Sequence, residues 1–300
     1  MIQTVCGAVP KDALGVTLSH EHLLADLRRV RHDEASVLND LDMISEELKP
    51  AVKLGCRSIV EVTTVDMGRD VTGLRKLSGM TGLNIVASTG FYLKEYHSGR
   101  LQKATVDDVE EFFVKEVNVG IDGTDIKSGA IGEVASSEKI YPSEEKVLTA
   151  ASRASKRTGT AVFTHCDMGR LGLEQISLML GQGMTPDKLV IGHTDLTADA
   201  DYQIKMLKFG VNLAFDTIGK SNYLSDETRA EVLIKLLEGG WEDHLLLSED
   251  VSKQSYLIRC GGKGYTAVLG SFLPLLRSKR VPEEQLHKLL VENPARILDR

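Results

Sequence analysis

The chain has 300 residues, 42% of them hydrophobic, and a formal net charge of −7. This length and composition allow one sizeable core, so we expect a single domain over residues 1–300. Scattered lysines and arginines give no basic patch for nucleic acid or an anionic membrane, which leaves a small molecule as the expected partner. Without a secretion-signal pattern or a bilayer-length apolar run, the chain is expected to be cytoplasmic.

Short apolar runs alternate with longer amphipathic stretches along the whole chain. The predicted strands are residues 16–22, 58–62, 84–88, 130–134, 161–165, 189–193, 211–215 and 245–247. Helical periodicity is clearest at residues 107–117, 144–156, 173–180, 202–209 and 226–237, with Thr105 and Ser225 as expected N-caps. Eight strand-then-helix units, without a GxGxxG turn after the first strand, favour a closed α/β (β/α)₈ TIM barrel over an open doubly wound sheet.

Unusual polar residues occur at the carboxyl ends of these strands, where barrel enzymes place their chemistry. His20 and His22 close the first strand, and the two-residue period of a strand points both imidazoles the same way while Glu21 faces the other side. Four further strand ends each offer one nitrogen or oxygen ligand. These ligands are Glu133, His165, His193 and Asp250.

A two-metal arrangement accounts for these six residues. His20, His22 and Asp250 could hold one divalent metal, and His165 and His193 a second. Glu133 could bridge the two metals and leave room for a shared water or hydroxide, while Asp250 could accept the proton of the attacking water. Any one histidine alone is more simply a structural residue, so the interpretation depends on the whole set. The remaining histidines are expected to be structural or solvated, except that His97, in a loop over the barrel mouth, could belong to the site.

The loops after the seventh and eighth predicted strands contain several cations. Lys220, Lys253 and Arg259 follow the strand ends most closely, so they are the candidate contacts for an anionic substrate, although each could equally be a solvated surface residue. Asp216 could orient a ligand histidine, and Glu249 is expected to be structural. Only 5% of the residues are aromatic, which favours a small polar substrate.

Four cysteines, Cys6, Cys56, Cys166 and Cys260, lie far apart without CxxC spacing. Reduced thiols are therefore expected. Cys166 adjoins His165 and is expected to be a small buried packing residue.

Seven short motifs occur in a characteristic order over nearly the whole chain: SHEHL, GEVASSE, FTHCDMG, IGHTDLT, FDTIGK, LSEDVSK and NPARIL. Together they resemble the phosphotriesterase-related branch of the amidohydrolase superfamily. The resemblance implies a binuclear, usually zinc, site in a distorted barrel, with ligands at His20, His22, His165, His193 and Asp250. Manganese, iron, cobalt or nickel would also suit such ligands.

The resemblance also bears on substrate and assembly. Tyr92 matches a tyrosine that lies over the metal site in lactonases of the family, although it could simply cover the barrel mouth. Many members bridge their metals with a carboxylated lysine where this chain has Glu133, so phosphotriesterase activity is expected to be weak or absent. A homodimer is expected from relatives alone.

The leading functional hypothesis is hydrolysis of a small carboxylic ester, namely a lactone or a phosphorylated sugar lactone, because relatives with such loop cations act on that class. The first alternative is amide hydrolysis of a small N-acylated amino acid or amino sulfonate. A non-catalytic metal-binding barrel is the alternative of another class, and the presence of Asp250 argues against it.

Overall fold

The computed structural model describes residues 1–300 and contains eight parallel strands in a nearly closed barrel. The strands are β1 (Thr17–Glu21), β2 (Ser58–Glu61), β3 (Asn84–Thr89), β4 (Ala130–Ser136), β5 (Val162–Cys166), β6 (Leu189–Ile191), β7 (Asn212–Phe215) and β8 (Leu245–Leu247). Each pairs in parallel with the next along the chain. Between β8 and β1 the His20 amide donates to the Ser248 hydroxyl at 2.9 Å, which links the two edges. The predicted barrel is confirmed.

Helices cover the outside of the barrel. The main ones are Leu41–Lys53, Val71–Thr81, Val106–Asn118, Pro142–Thr158, Gly172–Gly181, Ala200–Leu207, Asp226–Glu238, Leu273–Ser278, Glu283–His287 and Asn293–Leu298. Shorter helices, Arg28–Arg31 and Gly99–Lys103, lie in loops above the strands. Thr105 and Ser225 are N-caps as predicted, because their side chains accept hydrogen bonds from the amides of Asp108 and Thr228. None of the helices combines the length and apolarity needed to cross a membrane.

Two short antiparallel strand pairs lie outside the barrel. The first pairs Ile2–Thr4 with Gly7–Val9, and the second pairs Ala25–Asp26 with Val37–Leu38. The second pair follows β1 and brings the helix Arg28–Arg31 to the mouth of the barrel.

Alternate residues of the strands belong to two separate cores. An inner cluster of 14 residues includes Val60, Val86, Phe163, Val190, Ala214 and Leu246. An outer cluster of 62 residues takes the intervening positions and packs them against the helices. Both faces of each strand are thus buried, which explains why the strands are nearly continuous apolar runs.

Two irregularities in the strand pairing occur next to predicted ligands. The register between β1 and β2 shifts between Leu18 and Glu21, and the register between β4 and β5 shifts between Ile131 and Val134. Ile131 packs in the outer core, so regular alternation would send Glu133 outward as well. Gly132 lies inside the second irregularity, where an added Cβ would be 2.3 Å from the Phe163 carbonyl oxygen. The shift lets Glu133 face the barrel axis.

Candidate metal centre

Glu133 lies among the four histidines that the sequence analysis selected. Its Oε1 is 3.4 Å from His22 Nε2, and its Oε2 is 3.4 Å from His20 Nε2. The same Oε2 is 3.5 Å from His193 Nε2 and 3.2 Å from His165 Nδ1. His165 thus turns its Nδ1 atom toward the centre, whereas the other three rings present Nε2. One carboxylate therefore contacts four imidazoles from three different strand ends, those of β1, β5 and β6.

Asp250 lies at the edge of this cluster. Its Oδ1 is 3.2 Å from His22 Nε2 and 4.0 Å from His20 Nε2. Its Oδ2 accepts a hydrogen bond from the ammonium group of Lys220. The carboxylate is thus shared between the histidines and a cation of the pocket wall.

Asp216 contacts two of the histidines from below. The carboxylate is fully buried, and its Oδ1 accepts hydrogen bonds from the backbone amide and Nδ1 of His193 at 2.9 and 2.8 Å. Its Oδ2 is 3.0 Å from His20 Nδ1. A carboxylate that faces both Nδ1 atoms favours protons there, so the Nε2 lone pairs of both rings point at Glu133. This position agrees with the orienting role predicted for Asp216.

A second buried acid orients His22 through a hydroxyl group. Thr63 donates its hydroxyl proton to Glu61 Oε1 at 2.6 Å, and it accepts a hydrogen bond from His22 Nδ1 at 2.8 Å. The Nε2 atom of His22 is then free to face Glu133 and Asp250. Sequence analysis missed Glu61 and Thr63, which lie at the end of β2 without a ligand-like pattern of their own.

The charges of the centre support one another. Burial alone would lower the pKa values of His20 and His22, but the adjacent carboxylates raise them to about 10 and about 9. In turn, the histidines hold the pKa of Glu133 well below its usual range in spite of its burial. Lys220 and His22 do the same for Asp250. The ionised carboxylates therefore favour positive charge at the rings, and a metal ion would have to displace the Nε2 protons to bind there.

The donor set fits two metal ions. The groups His20, His22, Glu133 and Glu133, His165, His193 each bring their ligand atoms within 4.8 Å of one another, and Glu133 belongs to both. His20 is fully buried, and its Nε2 makes no hydrogen bond within the protein. A buried acceptor without a partner is costly unless something else binds it. Imidazole nitrogens and carboxylate oxygens suit zinc and several other divalent metals, so the residues present could hold two such ions.

A polar pocket of about 270 Å³ opens above the cluster. Only five of its 18 lining residues are hydrophobic. Three of the four predicted substrate contacts, Tyr92, Lys220 and Lys253, line it. Lining residues that sequence analysis did not select include Arg31, Asp33, Ser36, Asp167 and Tyr256.

Arg259, the fourth predicted substrate contact, does not reach the pocket. It is exposed in the turn Ile258–Cys260, where its amide donates to Glu47 Oε1 at 3.0 Å. Its side chain borders a separate surface hollow beside Asp40 and Asp42. The turn carries the arginine away from the barrel mouth, and closeness to a strand end in sequence could not reveal this direction.

Hydrogen bonds to its backbone amide and carbonyl hold Tyr92 over the centre. Its hydroxyl lies 3.3 Å from His165 Nδ1. Its amide donates to the Asp66 carboxylate at 3.1 Å, and its carbonyl accepts a hydrogen bond from His97 Nε2 at 2.9 Å. Burial raises the pKa of Tyr92 well above its ordinary value, so the hydroxyl keeps its proton and can donate it. His97, noted as an exception among the other histidines, acts here as a support for Tyr92.

Comparisons with known proteins agree with this geometry. The family model described as the phosphotriesterase family matches residues 1–298. The phosphotriesterase homology protein of Escherichia coli is 35% identical over 285 residues, covering 95% of this chain and 98% of the relative. The N-acetyltaurine hydrolase of Danio rerio is 32% identical, covering 99% of this chain and 97% of the relative.

Solved structures give the same result. The crystal structure of the E. coli phosphotriesterase homology protein, complexed with phosphate in its active site, superposes with a TM-score of 0.93 over 96% of this chain and all of that one. A lactonase from Listeria monocytogenes, 28% identical, superposes with a TM-score of 0.94 over 99% of this chain and 98% of that one. The family resemblance predicted from the motifs is confirmed. This chain belongs to the phosphotriesterase family.

Proposed function

We propose that the protein is a two-metal hydrolase that opens a lactone, in particular a phosphorylated sugar lactone, in a small pocket suited to anions. The observation that carries this proposal is the convergence of four imidazoles on Glu133 directly beneath a polar pocket with Lys220 and Lys253 in its wall. Hydrolysis of an acyl bond needs an activated water, a polarised carbonyl and a place for the charged part of the substrate. With metal ions bound, this arrangement would offer all three.

Each metal would have its own ligands. His20, His22 and Asp250 would hold one ion, His165 and His193 the other, and Glu133 would contribute to both. When bound, two divalent ions lower the pKa of water and polarise a carbonyl oxygen. Zinc is the expected metal, and manganese, iron, cobalt and nickel are the alternatives.

The protein's own side chains would handle the protons. Asp250 faces the cluster with one oxygen and Lys220 with the other, so it is placed to accept a proton from water and pass it to the leaving oxygen. Tyr92 keeps its hydroxyl proton and could donate a hydrogen bond to the substrate carbonyl. Glu133, held ionised by the histidines, would keep the centre assembled.

The pocket supports a small anionic substrate. Its volume of about 270 Å³ is at the low end for ligand sites, which disfavours bulky aryl esters. Lys253 adds positive charge to its wall, and Lys220 lies beside it in the lining, paired with Asp250. The E. coli relative with phosphate in its active site is consistent with this chemistry. We expect phosphotriesterase activity to be weak or absent, because Glu133 replaces the carboxylated lysine of the triesterases.

Amide hydrolysis is the second candidate. The N-acetyltaurine hydrolase of Danio rerio is 32% identical over nearly the full length of both chains. An N-acylated amino sulfonate or amino acid is also small and anionic, and the same centre could attack its amide carbonyl. A non-catalytic metal-binding barrel would not need the Asp250 and Tyr92 geometry seen here.

A substrate panel tests the proposal. Protein loaded separately with zinc and manganese would be assayed on plain and phosphorylated sugar lactones, N-acyl amino acids, N-acyl amino sulfonates and a simple phosphotriester. We expect chelator-sensitive lactone hydrolysis with kcat/KM above roughly 10⁴ M⁻¹s⁻¹, the lower end for ordinary enzymes. Asp250→Asn should retain metal and lose turnover. Preference for N-acyl substrates would replace the lactone with the amide.

A further inference from the structure

The helix Arg28–Arg31 contains three arginines with different surroundings. Arg28 forms ion pairs with two surface carboxylates. Arg29 donates to the backbone carbonyl of Tyr96. Arg31 instead lines the pocket above the candidate metal centre, where its Nη1 donates to the Ser252 carbonyl at 3.2 Å. Arg31 forms no ion pair, so its charge is uncompensated by any neighbouring side chain within 4 Å.

The lysines of the pocket also differ in whether a carboxylate neutralises their charge. Lys220 is committed to Asp250. Lys253 has no carboxylate partner, and its Nζ lies 4.9 Å from the centre of the Tyr256 ring. Arg31 contacts the carbonyl of Ser252, the residue before Lys253. The two unpaired cations thus line the same pocket from opposite ends of the chain.

The guanidinium of Arg31 is suited to an oxyanion. One of its donors is already used by the Ser252 carbonyl, which fixes the group in the pocket wall. A guanidinium has further donors in a planar fork, which suit two parallel hydrogen bonds to a carboxylate, sulfonate or phosphate. Asp33 and Asp167 also line the pocket but form no ion pair with Arg31 or Lys253.

We propose that Arg31, which lines the pocket together with Lys253, is the specificity-determining residue that binds the oxyanion group of the substrate, remote from the bond that is cleaved. This inference rests on the proposed function and extends it, because it assigns the anion to a loop after β1. The alternative is that Arg31 is purely structural and only links the loops after β1 and β8 through its hydrogen bond to Ser252.

Paired substrates separate these roles. The metal-loaded full chain would be assayed on a phosphorylated and an unphosphorylated sugar lactone, and on an N-acetyl amino sulfonate and N-propylacetamide. We expect Arg31→Gln to raise KM for the anionic member by about 10- to 100-fold, the loss expected for a charge-assisted pair, and to reduce the preference for the anionic member by at least about tenfold. Arg31→Lys should have a KM for the anionic member between those of the wild type and Arg31→Gln. Arg28→Gln, on the same helix, should leave the preference unchanged.

A binding measurement keeps the test independent of turnover. Methanesulfonate, a weak metal ligand, would be titrated calorimetrically into the metal-loaded wild type, Arg31→Gln and Arg28→Gln proteins. About tenfold weaker binding to Arg31→Gln alone supports the assignment, even if no substrate in the panel is hydrolysed and the proposed function fails. Equal methanesulfonate affinity in all three proteins, or an equal rise in KM for charged and uncharged substrates, would overturn it.

Discussion

Replacing Asp216 by asparagine should weaken metal binding at both halves of the candidate metal centre. Asp216 accepts hydrogen bonds from His193 and lies 3.0 Å from His20 Nδ1, and these rings belong to different metal groups. An asparagine amide has one acceptor oxygen and one donor nitrogen, so it cannot accept from both rings. The ring facing the amide nitrogen must move its proton to Nε2, the atom that faces Glu133.

The expected loss of metal affinity in Asp216→Asn corresponds to the loss of one hydrogen bond that orients a ligand histidine. Partners of this kind typically account for about 10- to 100-fold in metal affinity, which is about 1.4 to 2.8 kcal/mol. The substitution leaves side-chain volume almost unchanged. The barrel core around Ala214 and Phe215 should therefore remain packed.

Metal content and competition with a chromophoric chelator would measure the effect, together with kcat/KM on the best substrate of the panel. Glu249→Gln is the control for placing an amide at a buried strand-end carboxyl, which here contacts the Val268 amide but no ligand histidine. Burial and Glu21 raise the pKa of Glu249 well above its usual value, so this control leaves the charge of the centre unchanged. If Asp216→Asn bound metal with wild-type stoichiometry and affinity, the reasoning would be refuted. If the Glu249→Gln control also lost metal, any amide buried at a strand end would damage the centre.

Three further predictions concern the support of the fold and of Tyr92. His97→Gln should lower kcat on the best substrate severalfold, because His97 supports the backbone of Tyr92. If His97 acts only through the tyrosine, the effect should vanish in a Tyr92→Phe background. Additive losses in the double variant would contradict this role of His97. Arg229→Met should cost about 3 to 5 kcal/mol in urea unfolding, because it leaves the fully buried Asp195 carboxylate unpaired, and a change below about 1 kcal/mol would contradict this. In the native protein at pH 8, a thiol reagent should label two of four cysteines, and labelling of all four without denaturant would be inconsistent with the packing, since burial raises the pKa of the Cys56 thiol to about 12. The exposed thiols are Cys6 and Cys260, and the buried ones are Cys56 and Cys166.

Much of the barrel could be predicted from local pattern. Apolar runs of strand length alternate with amphipathic stretches, and each of the eight predicted strands overlaps an observed one. The pairing of His20 with His22 follows from the two-residue period of a strand. His165, Asp216 and Asp250 come directly at or after strand ends, so their place at one rim of the barrel follows from parallel topology.

The position of Glu133 at the centre could not be deduced in this way. Regular alternation from Ile131 would have turned it outward, and only the shifted register at Gly132 turns it toward the histidines. The choice of Nδ1 by His165, against Nε2 by the other rings, likewise depends on how the strands pack.

The sequence by itself determined the barrel, the strand ends that meet at its rim and most of the ligand-type residues found there, because strand period and parallel pairing are local or repetitive properties of the chain. Only the tertiary structure decided which loop cations reach the pocket. Arg31 lies nine residues beyond His22, and Arg259 lies nine residues beyond Asp250. Glu47 nevertheless holds the turn of Arg259 on the outer surface, whereas the Ser252 carbonyl holds Arg31 in the pocket wall. Those contacts join residues more than 200 positions apart, so no local pattern specifies them.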